Sequence, residues 1–290
     1  MLEHAYAQPQ KPERVVVIGS GGFVGGAIAR RLAEDSIAHL PLGRAELDLL
    51  AEGAGAKLAG LLRPGDAVVT AAAIAPCKNT AMLLDNMRIV QTLVRGLSAV
   101  PVAHVVNISS DAIYADGPVP LTEETPAAPT SLHGVMHLAR EIALRAEVRA
   151  PIAMLRPTLI YGAADPHNGY GPNRFRRLAA AGQEIVLFGA GEERRDHVAV
   201  GDVAEIALRV LKHRSHGALN IASGEVHSFR DVADMTVALA GAKVAIKPSP
   251  RSGPMPHNGY RPFDVAATKA AFPDFHYTPL REGLRRAAEG

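Results

Sequence analysis

Val15-Val16-Val17-Ile18-Gly19-Ser20-Gly21-Gly22-Phe23-Val24-Gly25-Gly26 decides how the rest of this chain is read. Four apolar, mostly β-branched residues run straight into a glycine cluster. Apolar positions at helical spacing follow at Ala27, Ile28, Leu32 and Ala33. That is a strand, a tight turn and a helix within about 20 residues, the opening of a dinucleotide-binding unit. Glycine is needed there for steric reasons. Phosphate oxygens must approach the backbone N–H groups at the helix N-terminus, and a Cβ would block them. The spacing is Gly19-x-x-Gly22-x-x-Gly25 rather than G-x-G-x-x-G. Elsewhere such a turn reads as a surface loop; between a buried strand and a helix it reads as a nucleotide site.

Outward from this stretch, strands and helices alternate. Ile37 to Leu42 reads as a second strand ending at Gly43-Arg44, and Leu58 to Leu62 closes a helix before the Pro64-Gly65 turn. A strand from Ala67 to Ala73 precedes a helix from Met82 to Leu97, whose apolar residues Met82, Leu83, Met87, Val90, Leu93, Val94 and Leu97 keep helical spacing. The strand Val102 to Ile108 runs into Ser109-Ser110-Asp111. A Pro-rich loop (117–129), a helix near 130–148 and a strand at 152–155 follow. This alternation specifies a parallel sheet with helices on both faces. After Gly162 it breaks into a loop (162–173), short helices and strands, and a Pro-rich stretch at 248–262. The expected fold class is α/β, a Rossmann-like doubly wound parallel sheet with a smaller C-terminal α/β substrate lobe. Residues 14–161 plus 198–223 would form the dinucleotide-binding domain, and 162–197 plus 224–290 the substrate-binding lobe. A disordered leader, 1–13, would precede them.

A chain of 290 residues buries a sizeable core, and 48% hydrophobic with 21% charged residues is an ordinary globular composition. The net charge of +2 and the lack of a basic stripe with interleaved aromatics give no nucleic-acid partner. No run approaches about 18 apolar residues, so no membrane span is expected. The leader lacks the apolar core of a signal peptide. One cysteine, Cys77, excludes an internal disulfide and suits a reducing compartment, so a cytoplasmic location is expected.

The order of several further motifs resembles the extended short-chain dehydrogenase/reductase family of NAD(P)-dependent sugar epimerases, dehydratases and reductases. They are the glycine turn, Asp66-Ala67-Val68-Val69-Thr70-Ala71-Ala72-Ala73, Ser109-Ser110-Asp111-Ala112-Ile113-Tyr114 and Leu155-Arg156-Pro157 with Tyr161-Gly162. Phe188-Gly189-x-Gly191, Arg195-Asp196-His197-Val198-x-Val200-x-Asp202-Val203-Ala204 and Asn220 to Gly224 complete the set. The resemblance covers nearly the whole chain. It implies cofactor contacts from Gly19, Gly22, Phe23, Val24, Gly25, Ala71, Ala72, Ala73, Ser109 and Pro157, with Asp48-Leu49 flanking adenine. After the second strand, where a carboxylate would bind the free 2′-hydroxyl of NAD, stands Gly43-Arg44. A guanidinium suits a 2′-phosphate, so NADP is preferred and NAD possible.

The family uses a Ser or Thr with Tyr-x-x-x-Lys, and here the sequence departs. The aligned helix reads His133-Gly134-Val135-Met136-His137, so both family residues are histidine, while the serine survives as Ser110. Spacing of i, i+4 still puts both rings on one helical face. In one reading Ser110 binds the reacting oxygen, His133 is the acid/base, since imidazole titrates near neutrality, and His137 contacts the cofactor ribose. In the alternative the chain is a catalytically silent dinucleotide-binding regulatory or scaffold protein. A metal pair would need a third ligand, and no Glu adjoins His133 as in H-E-x-x-H, so no metal is expected.

For the substrate, Arg195 matches the arginine that pairs with a nucleotide-sugar diphosphate, though Arg194-Arg195 beside Glu192-Glu193 equally reads as a self-paired surface run. Asp111, Tyr114 and Asn173 complete the substrate set. Tyr114 and Tyr161 are the nearest phenols and read as packing residues, Tyr114 with the option of facing the substrate. The resemblance implies a nucleotide sugar or related keto/hydroxy compound as substrate. It also implies a homodimer through helices 82–97 and 130–148.

Overall fold

The computed structural model describes residues 1–241 and 243–289. In chain order β1 (Val15–Ile18), α1 (Phe23–Glu34), β2 (His39–Leu42), α2 (Ala54–Leu61), β3 (Ala67–Thr70) and α3 (Thr80–Ala99) come first. They are followed by β4 (His104–Ile108), a 3₁₀ turn (Asp111–Ile113), α4 (Leu132–Glu147) and β5 (Ile152–Pro157). The second half holds β6 (Leu159–Tyr161), α5 (Pro172–Ala180), β7 (Ile185–Phe188), β8 (Arg194–Ala199), α6 (Val200–His213) and β9 (Gly217–Ile221). It ends with β10 (Val226–Ser228), α7 (Phe229–Ala240), β11 (Ile246–Ser249), β12 (Tyr260–Arg261), α8 (Ala266–Ala271) and α9 (Leu280–Glu289).

Six strands form one parallel sheet in the order β2-β1-β3-β4-β5-β9. The order reverses direction between β1 and β3, so a crevice opens beyond their carboxyl ends. Strands β1, β3 and β4 are buried along their whole length, as a sheet covered on both faces requires. One face packs Ile28 and Leu32 of α1 with Val203, Ala207 and Leu211 of α6. The other packs Leu58 of α2, Leu93 of α3 and Leu144 of α4. Strand β2 starts later than the sequence implied. It lies at the sheet edge, where Pro41 leaves no central ladder bond unmade.

Both long helices on the second face are capped by side chains: Asn79 accepts the Met82 N–H ahead of α3, and Ser131 the Gly134 N–H ahead of α4. Beyond β5 a smaller sheet joins β10, β8 and β12, with β6 beside β8, and β7 pairs with β11. Phe175, Leu187, Phe229, Val232 and Leu284 fill a core of their own beneath these strands.

The leader is not the free segment that its composition implied. Glu3 pairs with His216, and the Tyr6 N–H donates to the His213 carbonyl. The His4 ring meets Ser215 Oγ at 2.7 Å and stacks on His213 at 4.4 Å. Tertiary partners, invisible in local sequence, supply the order that the leader lacks on its own.

Candidate active site

The glycine turn is built by close backbone approach. Gly19 has φ +92°, and a Cβ there would lie 2.5 Å from the Ala72 nitrogen. A Cβ at Gly25 would overlap the Gly19 carbonyl oxygen, so α1 starts directly against β1. Gly22 is the N-cap of α1, no side chain caps the helix and its first turn holds no acid. Its N–H groups are therefore free for an anion. A cleft of about 300 Å³ opens in front, lined by Gly19, Gly22, Arg44, Asp48, Leu49, Ala71, Ala72 and Ala73 among others. This cleft at the reversal of strand order, with amides turned toward it, fits a dinucleotide. Phe23 packs its ring edge toward Gly162, while the Val24 side chain faces the core and leaves only its backbone to the helix terminus. Ser109, His137 and Pro157 stand at the end of β4, in α4 and at the end of β5, outside the cleft lining.

At the cleft rim Arg44 is 82% exposed and its guanidinium lies 3.6 Å from the Asp48 carboxylate, a surface pair of little strength. The sequence reading missed Glu46. Its carboxylate accepts the Gly43 N–H at 2.9 Å, putting an acid at the end of β2 beside the arginine. The signal was a capping residue three positions past a glycine, easily read as solvated loop.

Helix α4 carries the histidines. His133 is half-buried and His137 buried, with their rings edge to face at 4.7 Å. The Cys77 N–H donates to His133 Nδ1 over a long 3.4 Å, so the neutral ring carries its proton on Nε2. Burial lowers the His133 pKa, with Asp111 pulling the other way. Burial holds His137 well below the ordinary imidazole value, and His133 and Arg140 add to that. Its Nδ1 has no partner among the described residues. Ser110 caps the 3₁₀ turn after β4: its hydroxyl oxygen accepts the Ala112 N–H at 3.1 Å, and its proton is donated over a long 3.4 Å to Asp111 Oδ1. Gly134 sets α4 against this turn: a Cβ there would overlap the Ala112 carbonyl oxygen. Ser110 and His133 thus stand on two segments in backbone contact. Among the described residues no group of three His, Cys, Asp or Glu gathers as a metal site.

The substrate residues divide. Arg195 lies 3.2 Å from Glu193, the self-pairing anticipated, and 3.9 Å from Asp111. Asp111 also accepts from Arg261 Nε at 3.1 Å, and Arg261 Nη2 donates to the Asp111 carbonyl at 2.8 Å. Arg261 is 1% exposed and arrives from the Pro-rich stretch, where no periodicity marked it. Tyr114 is a correction. It is buried, donates to Asn220 Oδ1 at 2.7 Å and accepts from Arg156 Nη1 at 2.7 Å, so its hydroxyl is engaged by protein partners rather than offered to a substrate. Burial pushes its pKa up to about 12. Asn173 is buried and accepts the Gly162 N–H at 3.0 Å, fastening the loop that follows β6. Tyr161 packs against Gly283. Arg176 and Arg177 hold the carbonyls of Ala163 and Asp165, so they brace that loop rather than standing free.

A further buried imidazole packs against Phe229 in the smaller lobe. His197 of β8 is 3% exposed, neither ring nitrogen has a partner among the described residues, and burial lowers its pKa to about 3. An imidazole with folded pKa below its unfolded value stabilises the fold above pH 6.5 and loses that contribution as pH falls. His197→Phe is therefore expected to raise stability at pH 5, relative to its effect at pH 8, by about 2 kcal/mol. Denaturant titrations at both pH values check this, and equal effects would refute it.

The profile of the NAD dependent epimerase/dehydratase family matches residues 15–222. The chain belongs to the NAD-dependent epimerase/dehydratase family. Among curated relatives, the dTDP-4-dehydro-6-deoxy-D-allose reductase of Streptomyces bikiniensis is 27% identical over 94% of each chain. The UDP-glucose 4-epimerase of Thermus thermophilus, solved with NAD, has a TM-score of 0.83 at 22% identity, covering 95% of this chain and 98% of the other. The GDP-L-fucose synthetase of Naegleria fowleri, solved with NADP, also gives 0.83, at 18% identity and covering 99% and 96%. These last two share the fold. Family and relatives together identify the chain as an epimerase/dehydratase/reductase-type enzyme.

Proposed function

We infer that this enzyme is an NADP-preferring oxidoreductase or epimerase acting on a nucleotide-activated sugar or a related keto/hydroxy compound, through an atypical Ser-His-His site. The observation that carries this reading is the placement of α4. It presents His133 and His137 against the turn bearing Ser110, next to a cleft shaped for a dinucleotide. A nicotinamide bound in this cleft would supply the hydride exchange with the substrate carbon. Ser110 turns its hydroxyl proton from the long bond to Asp111 Oδ1 onto the reacting oxygen. His133 gives up or takes that oxygen's proton at Nδ1, the nitrogen that the Cys77 N–H reaches only over a long 3.4 Å, and His137, kept neutral, contacts the ribose. Asp111 is fixed by Arg261 and anchors Arg195, the group offered to the sugar diphosphate. The relatives named as dTDP- and UDP-sugar enzymes support the substrate class.

NADP is the reading at the rim because Arg44 is exposed and only loosely paired, free to clasp a 2′-phosphate; Glu46 opposes it. Arg44→Ala is expected to weaken NADPH binding about tenfold while leaving NADH within about twofold. Titrations followed by the cofactor's own fluorescence decide this, and an equal loss for both would exclude the assignment. Turnover of a nucleotide-activated 4-keto sugar with the bound cofactor tests the function itself. Tight binding without hydride exchange on any such substrate would instead indicate a silent dinucleotide-binding protein.

Leu84 on α3 and Val135 and Ile142 on α4 are apolar and exposed, a face that a second copy of the chain would cover in a homodimer. Among the described residues no helix is long and apolar enough to cross a membrane. The single buried thiol of Cys77 suits the cytoplasm.

A further inference from the structure

Helix α4 holds a second basic group that the family pattern does not call for. Arg140 lies one turn beyond His137 and is 1% exposed. Its Nε donates to Asn107 Oδ1 at 2.6 Å, Nη1 to the Ala72 carbonyl at 2.6 Å, and Nη2 to the Thr70 carbonyl at 2.9 Å. All three acceptors are neutral. Burial lowers its pKa to about 10 with no carboxylate opposing, and among the described residues it makes no ion pair. A guanidinium carries five N–H donors, and three are used. A buried cation without a counter-charge is costly to keep, more so than an apolar side chain of the same volume.

Its acceptors explain what it achieves. Thr70 ends β3, and Ala72 lines the cleft. The Ala72 backbone is also the surface against which Gly19 is pressed, so close that only glycine fits. A continuous chain of contacts therefore runs from α4 through the Arg140 fork to Ala72, and from Ala72 to the phosphate-facing turn. The Thr70 hydroxyl also donates to Asn107 Oδ1, which closes β3 and β4 around the same guanidinium.

We propose that Arg140 is a positioning residue of this site: its fork holds the floor of the cofactor cleft in register with the histidine helix, and its charge is the fixed cation beside His137. This rests on the reading of the cleft as a dinucleotide site. The family's lysine position is occupied by an imidazole, and Arg140 puts a permanent positive charge one turn away, on the other side of Ala72 from the cleft. The groups facing His137 are His133 on its own helix and Arg140, with Asp111 acting on His133 from the 3₁₀ turn. The remaining neighbour from the loop after β3, Cys77, presents its backbone N–H to His133.

Two variants of the full chain test this. Asn107→Asp keeps the acceptor and the volume but sets a carboxylate on Arg140 Nε. The cation is then neutralised in place without removing the fork. Arg140→Lys keeps the charge but cannot span three acceptors. Imidazole NMR titration of the cofactor-free protein, thermal unfolding and dinucleotide fluorescence titration are the readouts. Asn107→Asp is expected to raise the titration of His137, while Arg140→Lys leaves it in place. Arg140→Lys is expected to weaken NADPH binding about tenfold, through loss of two buried charged hydrogen bonds. The proposal is overturned if Asn107→Asp, folded as the parent, leaves the His137 titration unmoved, or if folded Arg140→Lys binds NADPH as the parent does. Should Arg140→Lys not fold, the Asn107→Asp titration alone decides. Failure of the parent protein to bind either dinucleotide would instead refute the cofactor reading, and the titration result would stand apart from it.

Discussion

His133→Ala is expected to lower turnover about 100- to 10,000-fold, the usual contribution of a placed acid/base, while leaving dinucleotide affinity nearly unchanged. The separation follows from how the ring is held. Its one hydrogen bond, from the Cys77 N–H, is long, and the imidazole is only half-buried, so losing it disturbs little else. The helix keeps its place through the backbone contact at Gly134 and the cleft keeps its glycine turn. The pH dependence gives a second reading of the same group. Burial sets its pKa below the ordinary 6.5. In the alcohol-oxidising direction the neutral ring is the base, so the rate holds above that depressed pKa and falls as pH drops through it. Steady-state rates of parent and variant across pH 4 to 9, roughly the span in which an imidazole titrates, check both statements. Full turnover in the variant would remove His133 from the mechanism.

The largest expected loss of stability lies one helical turn beyond Arg140's histidine neighbour, at Glu141. Its carboxylate is fully buried and receives both arms of Arg156, at 2.9 and 2.7 Å. Arg156 in turn donates to Tyr114, and Tyr114 to Asn220 on β9. This chain fastens α4 to β5, the 3₁₀ turn and the last strand of the sheet. Glu141→Gln keeps the shape but strips the charge, leaving a buried guanidinium without its partner, and is expected to cost about 3–5 kcal/mol. Replacing both partners by apolar residues, Glu141→Leu with Arg156→Met, is expected to recover most of that, because the desolvation cost goes with the charges. Denaturant midpoints of the three proteins measure it. A shift below about 1 kcal/mol for Glu141→Gln would mean that water reaches the pair.

The main sheet was legible because its strands are buried on both faces and read as unbroken apolar runs, and the glycine turn because sterics leave few alternatives. The strands of the smaller sheet were not. Arg194-Arg195-Asp196-His197 forms the first part of β8, yet its charges read as a surface run. Partners on β10 and β12 order it, and those partners lie far along the chain. The histidine pair was legible from the family resemblance, with the i, i+4 spacing placing both rings on one helical face. Arg140, Arg261 and Glu46 were not, because nothing local distinguishes a buried arginine from a solvated one. Their roles depend on acceptors that only the fold brings near. Tyr114 misled for the same reason: its position after Ser110 is visible in sequence, but the direction of its ring is not.

The contact at Gly134 has a consequence for how such an enzyme diversifies. The separation between the helix carrying His133 and the turn carrying Ser110 is set by the Gly134 main chain against the Ala112 carbonyl, with the Pro129 ring packed beside them. Mutations in the smaller lobe that keep Arg261 on Asp111 therefore leave the reacting geometry untouched. Selection for a new sugar would then act on the β8, β10 and β12 region while inheriting its chemistry intact, whereas any residue larger than glycine at position 134 would end both at once.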